Sequence, residues 1–354
     1  MAFRSGFVSI IGRPNAGKST LLNKLVGEKL AIVTPKPQTT RNRILGIVNV
    51  AAAKGRPAGQ IVFIDTPGVH KPDSSLNKKM MREVHAALEG RDAILLIVDA
   101  TEKFGAGDRF TLDLVKKAGG PVFLLLNKID RLEKSRLLPL IAEYSKLHDF
   151  REIIPISALK GDGLELLLDR LMAVLREGPR YFPKDQITDQ PERFLAAEIV
   201  REKVLLETAQ EVPYATTVVV ERWEESAHPS KPKPGLPGTP PHPSKPKPGL
   251  PGTPSHPSKP KPGLPGTPFP RLTSIAALIY CEREGQKKII IGRHGEMLKR
   301  IGTAARLEIE RALGTRVFLE LFVKLRPGWR ESREFVEDLD WRSQLQDLAD
   351  DPSE

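Results

Sequence analysis

Gly12-Arg13-Pro14-Asn15-Ala16-Gly17-Lys18-Ser19 stands between an apolar strand-like run, Phe7–Gly12, and a helical pattern at Leu21–Leu25, and no other stretch restricts the fold as strongly. Backbone N–H groups of a glycine-rich loop converge on an anion only where a strand and a helix N-terminus hold its two ends, so this loop requires an α/β layer. The chain up to about residue 175 agrees. Strand-like runs at Phe7–Gly12, Arg43–Val50, Gln60–Asp65, Ala93–Asp99, Val122–Asn127 and Ile153–Ser157 alternate with helical periodicity, the pattern of a mostly parallel sheet. Ala51–Gly59, rich in Gly, Pro and Lys, reads as a hairpin connection, and a helix over Leu164–Arg176 closes the domain.

In that loop Lys18 is placed to reach the β- and γ-phosphates of a nucleotide and Ser19 to ligate Mg²⁺, and Gly12–Ser19 with Thr20 is the expected nucleotide-binding stretch. Asp65-Thr66-Pro67-Gly68 ends the third strand, where the carboxylate suits the Mg²⁺ shell and the Gly68 amide the γ-phosphate. Thr39 and Thr40 lie between these motifs, in a segment suited to closing over the metal. Base choice follows further on. Asn127-Lys128-Ile-Asp130 ends the fifth strand, and a carboxylate there accepts from both the ring N–H and the exocyclic amine of guanine, a pair that adenine lacks. Ser157-Ala158-Leu-Lys160 ends the sixth and offers a backbone N–H to the guanine carbonyl.

Beyond Glu177-Gly-Pro179 and Phe182-Pro183, the pattern changes to helix (Glu192–Ala209), strand (Thr216–Trp223), strand (Ile275–Arg283), a helical pair around Gly292-Arg293-His294-Gly295, and strand (Arg316–Val323). Three copies of His-Pro-Ser-Lys-Pro-Lys-Pro-Gly-Leu-Pro-Gly-Thr-Pro, beginning at His228, His242 and His256, interrupt it. Proline at this density removes backbone donors and excludes helix and sheet. Two readings of the repeats stay open: a basic arm that grips phosphate, or a tandem duplication tolerated in a surface loop between two strands. The repeats hold six Lys and no acid, so of the net charge of +11 only +5 belongs to the rest of the chain. That remainder is polarised: Gly285–Arg330 carries +7 and Glu331–Glu354 carries −7, a basic module followed by an acidic tail.

A single Cys, Cys281, excludes a disulfide framework and a multi-cysteine zinc site, fits a reducing compartment, and reads as a small core residue. The longest apolar runs, Ala93–Val98 and Pro121–Leu126, fall far short of the ~20 residues a membrane-spanning helix needs. No secretory leader pattern follows Met1, so a cytoplasmic protein is expected.

Taken in order, these motifs resemble the translation-factor-like GTPases, and within them the Era family of bacterial GTPases; Gln38-Thr39-Thr40-Arg41 and Glu282–Gly295 extend the likeness over nearly the whole chain except the repeats. The resemblance implies a P-loop GTPase domain at 1–178, a linker at 179–190, an α+β type II KH domain at 191–330 carrying a disordered Pro/Lys insertion at 227–270, and an acidic tail at 331–354. It also implies GTP and GDP as ligands, with Lys18, Asn15, Thr40 and Gly68 catalytic and Ser19, Thr40 and Asp65 around Mg²⁺. Ras-like enzymes orient the attacking water with a Gln directly after the third motif, where this chain has Val69. Asn15 is similar to the Asn that coordinates K⁺ in relatives with this loop, and Thr34, Thr39 and the Lys36 carbonyl match the rest of that cage. In the KH module Gly292, Arg293, His294, Gly295, Ile291 and Lys299 would meet single-stranded RNA, with Ile289–Ile291 and Leu298 shaping the base groove. The family further implies the 3′ end of 16S rRNA and the 30S subunit as partners, and a peripheral contact with the inner face of the cell membrane. Other readings are a non-catalytic RNA-binding adaptor with a relic nucleotide domain, and a tRNA-modifying GTPase; relatives of the latter kind lack a KH module.

Overall fold

The computed structural model describes residues 2–53, 55–69, 74–209, 212–226 and 271–342; the insertion at 227–270, and with it the expectation of disorder there, lies outside the described residues, as does the end of the acidic tail. The chain divides into two compact units, Met1–Gln190 with Arg330–Arg333, and Pro191–Trp329 with the residues from Glu334.

In the first unit β1 (Arg4–Ile11), α1 (Lys18–Val26), β2 (Ile44–Val50), β3 (Gly59–Asp65), α2 (Ser75–Ala87), β4 (Ala93–Asp99), α3 (Ala106–Ala118), β5 (Val122–Asn127), α4 (Leu137–Tyr144), β6 (Glu152–Pro155) and α5 (Leu164–Val174) follow one another. The sheet order is β2-β3-β1-β4-β5-β6; β2 runs antiparallel to β3 and every other neighbouring pair is parallel. Every residue of β3, β4 and β5 is buried, which is why these strands read as unbroken apolar runs. One face of the sheet packs against Leu21 and Leu22 of α1 and Leu167 and Leu171 of α5. The other packs against Met81 and Val84 of α2, Leu112 and Val115 of α3, and Tyr144 of α4. In such a doubly wound sheet the loops at the carboxyl ends of the parallel strands gather along one edge, and all the nucleotide motifs lie on those loops. Residues 179–190 run alongside β2 as part of this unit: Ile47 N donates to Ile187 O (2.8 Å), Thr188 Oγ1 to Leu45 O (2.7 Å), and Gln60 Oε1 accepts from Tyr181 N (2.9 Å).

The second unit contains α6 (Glu192–Glu207), β7 (Thr217–Ser226), β8 (Leu272–Cys281), α7 (Glu284–Ile291), α8 (Glu296–Leu313), β9 (Arg316–Leu325) and α9 (Arg333–Asp338, of which Glu334 onward belongs here). Its sheet has the order β7-β8-β9, with β7 antiparallel and β9 parallel to β8. A parallel pair needs a long crossover, and α7 with α8 supplies it. Ile199, Val200 and Val204 of α6 and Ile301, Ala305 and Ile309 of α8 cover one sheet face, with Cys281 buried beneath them as expected. The strands extend beyond the sequence-based bounds: β7 reaches Ser226 and β8 starts at Leu272, and these two residues are register partners. The insertion therefore leaves and re-enters a paired hairpin. Part of the acidic segment is helical, because acids alternate there with apolar residues that find a surface. Phe335 of α9 lies edge-on to Tyr280 at 5.2 Å and to Trp329 at 6.1 Å, and Trp329 Nε1 donates to Ala215 O (2.9 Å).

Candidate functional site

The loop between β1 and α1 turns through Gly17 (φ 103°), where a Cβ would sit 2.2 Å from Asn127 Nδ2, so only glycine fits on both grounds. Lys18 arches back over the loop, its Nζ donating to Gly12 O and Arg13 O (3.0 Å each). Burial pushes its pKa down to about 8 against the pull of Asp65. Ser19 Oγ donates to Asp65 Oδ2 (2.7 Å) and lies 2.8 Å from Thr40 Oγ1. Asp65 is fully buried, and burial drives its pKa up to about 6 although Lys18 and the hydrogen bonds from Ser19, Thr66 and Thr40 oppose this. Its Oδ1 has no hydrogen-bond partner. Hydroxyl, hydroxyl and carboxylate form the hard-oxygen set that Mg²⁺ takes, and the unpartnered buried oxygen is what a cation would satisfy, so these residues fit that ion.

Thr66 Oγ1 donates to Ile10 O (2.8 Å), Pro67 is buried, and a Cβ on Gly68 would lie 2.7 Å from Pro14 Cγ; the loop after β3 thus rests on the phosphate loop. Pro14, Asn15, Gly17, Lys18, Ser19, Thr20, Thr34, Thr39, Thr40 and Gly68 line one cleft of about 460 Å³. Oxygens cluster at its rim. Thr34 Oγ1 is 2.7 Å from Thr39 Oγ1, Thr39 Oγ1 donates to Lys36 O (2.6 Å), and Asn15 Nδ2 donates to Pro35 O (2.9 Å). Val69 is buried in the apolar cluster with Ile11, Met81 and Val84, so it neither faces the cleft nor offers a polar atom.

The guanine motifs are tied to the phosphate loop by one side chain. Asn127 Nδ2 donates to Ala16 O (2.7 Å), and its Oδ1 accepts from Ala158 N (2.9 Å). Ser157 Oγ donates to Asp130 Oδ1 (2.6 Å) and accepts from Lys160 N (3.1 Å), which orients the Asp130 carboxylate. Lys128, in a left-handed conformation (φ 68°), lines the cleft, whereas Asn127, Asp130, Ser157 and Ala158 stand beside it.

In the second unit Gly292 (φ 75°), His294 (φ 51°) and Gly295 (φ 81°) form a tight turn between α7 and α8. Arg293, His294 and Lys299 are exposed and Ile291 is half-buried. The expectation that Ile290 shapes a surface groove is corrected: it is fully buried in the core under the sheet, because the period of α7 turns it inward and leaves Ile289 outside.

The family model for the 50S ribosome-binding GTPase matches residues 7–128, and that for the KH domain matches residues 270–330. A GTPase Era of Geobacter metallireducens is 47% identical over 337 residues, covering 95% of this chain and 97% of its own. Another, of Ruminiclostridium cellulolyticum, is 42% identical and covers 97% and 99%. The chain belongs to the Era family of GTPases. Among solved structures, Era in complex with MgGDPNP and nucleotides 1506–1542 of 16S ribosomal RNA superposes with a TM-score of 0.79 at 38% identity, covering 96% of this chain and 99% of that one. A variant of Aquifex aeolicus Era bound to GDP and aluminium fluoride gives 0.78, with the same identity and coverage.

Within this Era-family chain two carboxylates escaped the sequence reading. Asp99 ends β4 and is the register partner of Asn127; Glu102, three residues on, lines the cleft. Burial works against charge on Asp99, but Lys128 and two Thr101 hydrogen bonds outweigh it and hold its pKa below the ordinary carboxylate value. The available signal was position: an acid closing an apolar strand at the same sheet edge as every motif.

Proposed function

We propose that this Era-family chain binds and hydrolyses GTP with Mg²⁺ and holds the single-stranded 3′ end of 16S rRNA on its KH module during assembly of the 30S subunit. The observation that carries the nucleotide half is the oxygen set of Ser19, Thr40 and Asp65 beside Lys18, in a cleft whose phosphate and guanine loops Asn127 cross-links. Ser19, Thr40 and Asp65 would hold Mg²⁺, which when bound neutralises charge building on the phosphate oxygens. The loop Gly12–Thr20 cradles the phosphates, Lys18 Nζ moves from its own loop's carbonyls to the β- and γ-phosphate oxygens, and the amide of Gly68 meets the γ-phosphate. Asp130 takes both hydrogens from guanine, with Asn127, Lys128, Ser157 and Ala158 framing the base and Thr66 and Pro67 shaping the loop that presents Gly68. The rRNA half is supported by the relative bound to nucleotides 1506–1542 of 16S rRNA and by the exposed Arg293, His294 and Lys299 around the turn at Gly292 and Gly295. The family model describing a 50S-binding GTPase ends at residue 128, before the KH module, and so does not bear on the choice of subunit.

With Val69 buried, hydrolysis draws on a different charge. Asn15, Thr34, Thr39 and the Lys36 carbonyl form the oxygen-rich rim that suits K⁺ in an arginine-finger position, and a monovalent cation there would stabilise charge in the transition state. Phosphate release from GTP, measured in K⁺ and in Na⁺ at equal ionic strength with Mg²⁺ or with EDTA, tests both ions. Turnover is expected only with Mg²⁺ and faster in K⁺, and Asn15→Ala should erase the difference. No turnover with Mg²⁺ would favour the adaptor reading, and equal rates in both salts would remove K⁺. The single Cys281 fits a reducing, cytoplasmic compartment, and a peripheral membrane contact rests on the family resemblance alone; no helix among the described residues is long and apolar enough to cross a membrane.

A further inference from the structure

We infer that Asp99 is a positioning residue for the guanine site, holding the Lys128 side chain in place before any nucleotide arrives. This deepens the guanine-site reading above and rests on it. Asp99 and Asn127 are opposite one another in the parallel register of β4 and β5, and Ala100 N donates to Asn127 O (2.9 Å), so the backbones of the acid and of the base-recognition loop are locked side by side. Both carboxylate oxygens are engaged. Oδ2 lies 2.5 Å from Lys128 Nζ, and Oδ1 accepts from Thr101 N (3.0 Å) and Thr101 Oγ1 (2.6 Å). The Asp99 side chain is only 6% exposed, and it anchors a lysine that is itself left-handed at the backbone and lines the cleft.

The same loop grips the phosphate side. Glu102 pairs with Arg13, the second residue of the phosphate loop, and Arg13 Nη1 also reaches Asp108 in the first turn of α3 at 3.3 Å. One short segment therefore ties the loop under the phosphates to the lysine beside the base. A lysine stem has many rotamers, and a nucleotide that had to order a free Lys128 would lose affinity for both GDP and GTP. Asp99 has already ordered it. Base selectivity stays with Asp130, and hydrolysis with the groups around the γ-phosphate, so the predicted defect is in retention of nucleotide alone.

Asp99→Asn keeps an acceptor for Thr101 but turns an amide toward the Lys128 ammonium, releasing it. Dissociation of fluorescent GDP from the full chain, followed by stopped flow, is expected to become about tenfold faster, the size of losing one charged hydrogen bond. KM for GTP should rise while kcat at saturation and the preference for guanine over xanthine stay put. On a Lys128→Met background Asp99→Asn should add nothing. Dissociation within about twofold of the wild type, or an undiminished effect on the Lys128→Met background, would overturn the inference. If the variant is destabilised, that background comparison still decides, because a general loss of folding would persist without Lys128. Failure of the guanine-site reading would look different: the wild type would then show no preference for GDP over ADP.

Discussion

Asp130 and Asp65 show how neighbours assign different work to the same side chain. Asp65 is buried with Oδ2 bonded by Ser19 and Oδ1 unpartnered, an arrangement that suits a cation, whereas Asp130 is held by Ser157 Oγ at 2.6 Å with its carboxylate oriented as an acceptor. Asp130→Asn leaves one acceptor for the ring N–H but replaces the other by an amide NH2, which opposes the exocyclic amine of guanine and can donate to the carbonyl that xanthine carries at that position. Affinity for GDP is expected to fall by a factor of several hundred or more, as for other sites that lose a matched buried hydrogen bond, while XDP binds. Competition titrations with the two nucleotides measure it, and unchanged GDP preference would mean that guanine is read elsewhere. Gly68 makes a related point: the resemblance suggests an amide for phosphate, and the structure adds that a Cβ would strike Pro14.

At the scale of elements, the α7–α8 turn and the α6–α8 pair carry separable predictions. Acidic substitution of both glycines is an ambiguous test, since a Cβ on Gly292 would lie 2.5 Å from Met297 Cβ and 2.9 Å from Met297 N, disturbing the start of α8. Arg293→Glu leaves that backbone alone. It should weaken binding of a single-stranded RNA by about tenfold or more by reversing a phosphate contact, with a smaller salt dependence, both read by fluorescence titration. The brace between α6 and α8 concerns stability. Lys203 Nζ pairs with Glu202 (2.8 Å) and with Glu308. Burial opposes the charge on Lys203, yet the two carboxylates outweigh it and hold its pKa above the ordinary 10.5. A raised lysine pKa contributes stability that is complete at neutral pH and is lost as pH rises through the folded-state value. Lys203→Ala leaves the buried Glu202 facing Glu308 and should cost about 3 kcal/mol at pH 7. A lower urea midpoint of tryptophan fluorescence would report it, because Trp223, Trp329 and Trp341 all lie in this unit.

For the molecule as a whole, the repeats are separable from the fold because Ser226 and Leu272 are register partners. Deleting His228–Pro268 leaves four residues between them, within the usual range for a hairpin loop of about 2–5. The shortened chain should fold and keep its RNA sequence preference, and its salt slope should shrink by up to about 4 if all six Lys contact phosphate. Loss of sequence selectivity on deletion would make the repeats the recognition element. The α/β class, the strand-end motifs, Lys18, Ser19, Asp65, Asp130 and the Gly-x-x-Gly turn were readable from the chain alone, because each depends on residue type at short spacing. The apolar run of β2 marks it as a strand, but its antiparallel pairing is only implied by the loop before β3, and the inward face of Ile290 depends on the helix phase that packing sets. Asp99 and Glu102 carry no local motif. What joins them to Lys128 and Arg13 is the parallel register of β4 with β5 and the approach of α3 to the phosphate loop, contacts between residues about 30 and 90 positions apart that only the closed sheet brings within hydrogen-bonding reach.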